Sequence, residues 1–144
     1  MDVKEFLQQV RRQGARIRSL SENLDRLRYD MTHLSSPILG DKVQTSHQSS
    51  LDDVLIRMET EEEAYLTEYK HLLDMRREAM RLISMESDPV CQAILQRRYI
   101  MGQRWEEISA SMNYSSQHVR RLNDQALWNL EKMSRNEQFF CGNI

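Results

Sequence analysis

Between Leu95 and Leu130 apolar side chains recur at three- and four-residue steps, and the repeat is broken twice, at Gly102 and at Asn113-Tyr114-Ser115. That period means helix, and breaks so short leave room for turns only. Leu95 and Tyr99 close a first helix, after which Gly102 can take a positive φ without a Cβ penalty. A second helix starts near Trp105, with Trp105, Ile108 and Met112 on one face. Ser115 or Ser116 is a suitable N-cap for a third, because a hydroxyl there accepts from the free N–H groups of the first turn. Val119, Leu122, Ala126, Leu127 and Leu130 give the third helix a narrow apolar stripe, and small Ala126 permits close approach of a neighbour. The stretch reads as a helix-turn-helix. Outside its stripe stand Ser116, Gln117, Arg120, Arg121 and Gln125, side chains that reach bases and phosphates. Ser116, Gln117, Arg120 and Arg121 lie at the start of the third helix, where a recognition helix enters the major groove. Arg120 or Arg121 can address a guanine edge bidentately and Gln117 an adenine. The competing reading is a merely solvated face.

The remainder of the chain is also helical in character. Only 4 Gly and 2 Pro occur, and Leu, Met, Glu, Arg and Gln are abundant, so an all-α fold is expected. From Val3 to Leu34 a heptad is visible. Val3, Val10, Ile17, Leu24 and Met31 fall seven apart, and Phe6, Leu20, Leu27 and Leu34 form a second seam in which Gln13 is polar. β-branched residues in one seam and Leu in the other suit a parallel two-stranded coil, so Val3, Val10, Ile17, Leu20, Leu24, Leu27 and Met31 are candidate homodimer contacts. The same stripe suits a helix folded back on its own chain, and Gly14 weakens the coil locally.

Residues 35–50, with Pro37, Gly40 and a run of small polar residues, read as a mobile loop. A second long helix is expected over about 51–85, capped by Ser50 and favoured at its start by Asp52 and Asp53. Two long helices joined by one loop most economically make an antiparallel hairpin, as a helical arm or a coiled coil. Glu59 and Glu61 to Glu63 are read as a solvated face, with a docking patch for a basic partner as the alternative. Asp88 before Pro89 signals a new helix, which places a boundary between an arm, residues 1–86, and a helix-turn-helix domain, residues 87–135. Residues 136–144 read as a flexible tail, in which Phe139-Phe140 is unusual.

The formal charge of −2 argues weakly against nucleic acid, but its distribution does not. Residues 1–90 hold 13 basic and 17 acidic groups, whereas 91–144 hold 7 and 5, so the basic excess lies with the helix-turn-helix. No catalytic constellation, metal site or cofactor motif is found. His33, His47, His71 and His118 show no ligand spacing, Cys91 and Cys141 are fifty apart, and no phosphate loop occurs. Glu106 and Glu107 are adjacent on a helix and point about 100° apart, so they cannot serve one reacting atom. The chain reads as a non-enzyme with reduced thiols, no signal peptide and no membrane span, located in the cytoplasm.

The pattern Leu95, Arg98-Tyr99, Gly102, Trp105-Glu106-Glu107-Ile108, Ser115, Val119, Arg121-Leu122 and Ala126-Leu127 resembles the region-4 helix-turn-helix of bacterial RNA polymerase sigma factors. The whole chain, including Lys42-Val43-Gln44-Thr45-Ser46 ahead of a long acidic helix, is similar to small sigma-region-4-like proteins encoded by phages, prophages and integrative elements of Gram-positive bacteria, relatives of the ArpU and RinA types of late-gene regulator. The resemblance implies double-stranded DNA as partner and RNA polymerase as a further one. It puts Ser116, Gln117, Arg120 and Arg121 on promoter DNA and adds Arg104 and His118 beside the backbone. No second segment resembles the promoter-melting region of sigma, so a dimeric regulator acting beside polymerase is expected rather than an autonomous sigma factor. Two alternatives stay open: an adaptor that binds polymerase or a regulator without touching DNA, and a DNA-packaging component of the small-terminase kind.

Overall fold

The structure, a computed structural model, describes residues 2–34 and 44–141, with side chains at 2–33 and 51–137. Among the described residues five α-helices follow one another: α1 (Val3–Leu34), α2 (Gln44–Ile83), α3 (Pro89–Leu95), α4 (Trp105–Met112) and α5 (Ser116–Cys141), with a π-helical turn over Gln96–Ile100 continuing α3. The chain is all-α, and no strand occurs among the described residues.

The helices make two compact units, residues 16–71 and residues 1–15 with 72–144. In the first, α1 and α2 run antiparallel. Arg16 reaches Glu68 at 3.5 Å and Arg28 reaches Glu62 at 3.6 Å, so one helix advances as the other returns. These pairs are solvent-exposed and contribute at most about 1 kcal/mol each. The apolar seam matters more: Ile17, Leu24 and Leu27 are buried, and Leu20 and Met31 are half-buried. The acidic stretch of α2 is therefore partly engaged, through Glu62, with the chain's own arginine.

In the second unit Val3, Leu7 and Val10 of α1 and Ala79 and Ile83 of α2 share one core with Cys91, Leu95, Tyr99, Ala126, Leu127 and Leu130. A smaller cluster of Ile94, Ile108 and Val119, with Val90, Trp105 and Met112 against it, closes α3, α4 and α5 on one another. The α2–α3 corner between them is tightly bonded. Asp88 Oδ1 accepts from the Val90 N–H at 2.9 Å with Pro89 at the first helical position, and Glu86 accepts from the Asp88 N–H at 3.2 Å.

Four expectations change. The candidate dimer seam, Val3, Val10, Ile17, Leu20, Leu24, Leu27 and Met31, is buried or half-buried within the single chain. A heptad specifies a helical partner, not whether that partner is another molecule, and α2 is present at a far higher effective concentration. The boundary at residue 87 moves as well, because the outer faces of α3 and α5 stay uncovered without residues 2–15 and 72–86. α2 begins at Gln44, so Ser50 lies inside the helix rather than at its cap, and Asp52 and Asp53 lie beyond its first turn. The segment 44–50 is polar but holds no Gly or Pro, so nothing in it breaks a helix. Residues 35–43 of the expected loop lie outside the described residues. Finally, α5 continues to Cys141 where a tail was expected from residue 136, and Arg81 meets Glu137 at 3.3 Å near its end. The side chains of Phe139 and Phe140 lie outside the described residues.

Three outcomes follow from this packing. A fragment of residues 87–144 should lose much of its helical circular dichroism and bind a hydrophobic dye, since its core partners on α1 and α2 are gone. Gly14→Ala should stabilise the protein by about 0.5–1 kcal/mol in urea unfolding, because a Cβ there meets only the Arg76 guanidinium, at an ordinary 3.6 Å, and the helix gains a better former. Burial first, then the carboxylates of Asp88 and Glu86, push the Cys91 thiol up to about 11 from 9.0. A folded-state value above the unfolded one adds stability that is complete below pH 9 and lost as pH rises toward 11. The melting temperature of the wild type should therefore fall more steeply than that of Cys91→Ala between pH 9 and 11, while the burial-raised Tyr99 phenol acts equally in both.

Candidate nucleic-acid interface

The short helix α4 is set by three local devices. Gly102 turns the chain at φ 72°, and the Gln103 N–H donates to the Arg97 carbonyl at 2.9 Å. The Arg104 N–H then donates to the Glu107 carboxylate at 2.9 Å, which satisfies a free donor at the helix start. Ile108, fully buried, fixes the inward face. At the other end Asn113 adopts a left-handed conformation, φ 56° and ψ 37°, which its short polar side chain tolerates, and its N–H donates to the Ser109 carbonyl. The Ser109 hydroxyl donates to the Tyr114 carbonyl and ties down the turn.

Of the two serines offered as caps, Ser115 takes the role: its Oγ accepts from the His118 N–H at 3.1 Å. Val119 is fully buried in the cluster with Ile94 and Ile108. With Val119 inward, helical geometry turns Gln117, Arg120 and Arg121 outward, and all three are exposed. Gln117 and Arg121 have no hydrogen-bond or ion-pair partner among the described residues. Arg120 places its guanidinium carbon 5.7 Å from the centre of the Trp105 ring.

The other candidates are more committed. Ser116 and His118 are half-buried, and the His118 ring packs edge-on against Tyr114 at 5.1 Å between centroids. His118 thus braces the turn. Arg104 is exposed, but its guanidinium lies 3.6 Å from the carboxylate of Glu107. The structure therefore brings Gln117, Arg120 and Arg121 together on one face of α5, sets Ser116 and His118 at its start, and gives Arg104 a carboxylate that any phosphate would have to displace.

Two contributors were missed from sequence. Arg98 lies over Trp105, 4.2 Å from the ring centre, and donates to the Gln103 carbonyl at 3.1 Å. Burial and then the positive charge of Arg11 lower its hold on the proton, an effect to which Arg120 adds. Nothing in the spacing of Arg98 and Trp105 across a glycine turn announces that stacking. Tyr114 is an exposed aromatic at the head of α5, and its position in the turn was the available signal.

Among the described residues no helix is long and apolar enough to cross a membrane. Comparison with curated proteins and with solved structures gives no match. A family model described as "Protein of unknown function (DUF1492)" matches residues 33–131, a span that holds α2, α3, α4 and the exposed side chains at the start of α5. With well over half of its length matched, the chain belongs to the DUF1492 family.

Proposed function

We propose that this protein is a sequence-specific DNA-binding transcriptional regulator in which α4 and α5 form a sigma region-4-like helix-turn-helix and α5 enters the major groove. The observation that carries the reading is the state of the Gln117 and Arg121 side chains: exposed, without partners among the described residues, and held on the face of α5 opposite the buried Val119. A long polar side chain that has no structural task and sits on a fixed helix is suited to base readout. Gly102, Asn113 and Ser115 fix the two helix ends from which such a motif is built. The proposal extends to a phage or mobile-element regulator acting beside RNA polymerase in the bacterial cytoplasm, on the strength of the sigma-like residue pattern. A dimer through α1 is no part of it, since that seam is consumed within the chain.

A second reading has its own observation. Ile56 and Leu66 of α2 are exposed apolar side chains, the kind of surface that an adaptor bound to another protein would cover.

Fluorescence-anisotropy titration against selected and scrambled duplexes at two salt concentrations separates the two. Arg121→Ala should cost about 1–3 kcal/mol on the selected site and relax preference at one base pair. Arg104→Ala should weaken all duplexes alike and lower the logarithmic salt slope by about 0.9. Glu107→Gln keeps an acceptor for the α4 cap while releasing Arg104, so it should leave binding unchanged or tighten it. Absence of salt-dependent binding by the wild type to any duplex would remove the DNA reading in favour of the adaptor.

A further inference from the structure

The first turns of α1 carry Lys4, Arg11 and Arg12, and in the folded chain these line a cleft of about 500 Å³ together with Arg98 and Arg120. Five cations face one carboxylate, that of Asp124, and among the described residues none of the five is in an ion pair. Such crowding is unfavourable by itself. Burial first, and then the charges of Arg11 and Arg120, lower the proton affinity of Arg98, against a smaller opposing effect from Glu106 outside the lining. Two buried polar atoms at the cleft also lack a partner, Arg11 Nε and Asn123 Oδ1, and Asn123 is only 3% exposed. Buried polar groups are normally satisfied, so these two atoms are sites where a water or a bound group would find a partner.

The chemistry required is anionic and rich in acceptors. A pocket for a small organic ligand is mostly apolar, and this one is polar and cationic. A stacked nucleobase is disfavoured too, because Arg98 lies over the Trp105 ring at 4.2 Å. Phosphate oxygens fit: they can accept from Arg11 Nε and from the guanidinium N–H groups that line the cleft, of which Arg98 gives one to the Gln103 carbonyl and Arg12 one to Gln8. A half-turn of the Asn123 amide would let the Tyr99 hydroxyl, its hydrogen-bond partner, donate to Oδ1 and would present the NH₂ to the same oxygens. Arg120 joins the two surfaces, since it belongs both to this cleft and to the exposed face of α5.

We infer that the cleft seats backbone phosphates of the DNA strand that flanks the groove entered by α5, so that the N-terminal turns of α1 are part of the DNA interface. The inference rests on the DNA-binding reading and adds to it residues 4–12, which lie outside the span matched by the family. Their role would be positioning and affinity, not base preference.

The test is the double variant Lys4→Gln/Arg12→Gln in the full chain. Both side chains are exposed, so the thermal melt should match the wild type. In anisotropy titrations against selected and scrambled duplexes, the variant should lose affinity equally on both, and its logarithmic salt slope should fall by about two units, close to 0.9 for each phosphate contact removed. The base preference that Arg121→Ala relaxes should persist. If affinity and slope are unchanged while Arg121→Ala still loses its site, the cleft is off the DNA path; DNA binding then stands, and an acidic protein segment becomes the candidate occupant. Saturable binding of inorganic pyrophosphate that the double variant abolishes, with an unchanged DNA slope, would overturn the inference in favour of a free polyphosphate. Wild type without salt-dependent binding to any duplex would overturn this inference and the DNA reading together.

Discussion

The burial of Leu95, Tyr99 and Leu130 against Leu7, Val10 and Ile83 is the contact on which the candidate interface depends. α3 has 7 residues and α4 has 8, both shorter than a helix that holds in water by its own hydrogen bonds. Their persistence comes from the faces they bury. The cluster of Ile94, Ile108 and Val119 closes one side of the three helices. The other side of α3 and α5 is apolar as well, and each Leu left there in water would forgo about 1.5–3 kcal/mol. The ends of α1 and α2 supply the cover. The orientation of α5, and with it that of Gln117 and Arg121, is therefore held by residues far away in sequence.

This explains which parts of the fold could be read from the chain. Local signals were legible because each has a local cause: Gly102 takes the positive φ, Asp88 caps ahead of Pro89, and Ser115 accepts from the third helix. The heptad of α1 was legible as a seam, but a stripe of Val, Ile and Leu does not name its partner. The start of α2 was misplaced because small polar residues without Gly or Pro resemble a loop in composition while permitting a helix. In the candidate interface the outward set Gln117, Arg120 and Arg121 followed from the inward Val119. Arg98 over Trp105 did not, since it depends on a π-helical turn whose Met101 N–H reaches back to the Gln96 carbonyl at 2.9 Å. Lys4, Arg11 and Arg12 were seen only as polar flanks of a seam, because their grouping with Arg98 and Arg120 arises in the folded chain.

Net charge says little about the local distribution of charge for a related reason. A total of −2 conceals where carboxylates are used. Within residues 16–71 Glu62 and Glu68 answer Arg28 and Arg16, and Glu78 and Glu137 both answer Arg81. The Glu78 carboxyl is held below its usual range by the Arg81 hydrogen bond, which marks that pair as formed. Acidic groups paired in this way contribute little field beyond a Debye length of about 10 Å at 0.1 M salt. Among the described residues no ion pair engages the five cations of the cleft, whose lining holds one carboxylate, so its formal charge is positive whatever the sum over the chain.

On the proposed DNA reading, the contrast between Arg104 and Arg121 would let one small motif separate positioning from readout. Glu107 caps α4 through the Arg104 N–H and also holds the Arg104 guanidinium at 3.6 Å, so the residue that orders the helix competes for the cation. Any phosphate contact by Arg104 then exchanges one anion for another, and the net gain is small and dependent on salt. Among the described residues Arg121 has no such partner to give up. Its cost on binding is rotamer freedom, and the helix beneath it is already fixed by the buried Val119 and by the Ser115 cap. On the DNA reading, a bidentate bond from Arg121 to a base would break no ion pair present among the described residues. Ordinary capping chemistry thus sets the two arginines apart: the α4 cap needs a carboxylate, which the Arg104 guanidinium also meets, whereas the α5 cap needs only the Ser115 hydroxyl, and among the described residues no ion pair engages Arg121.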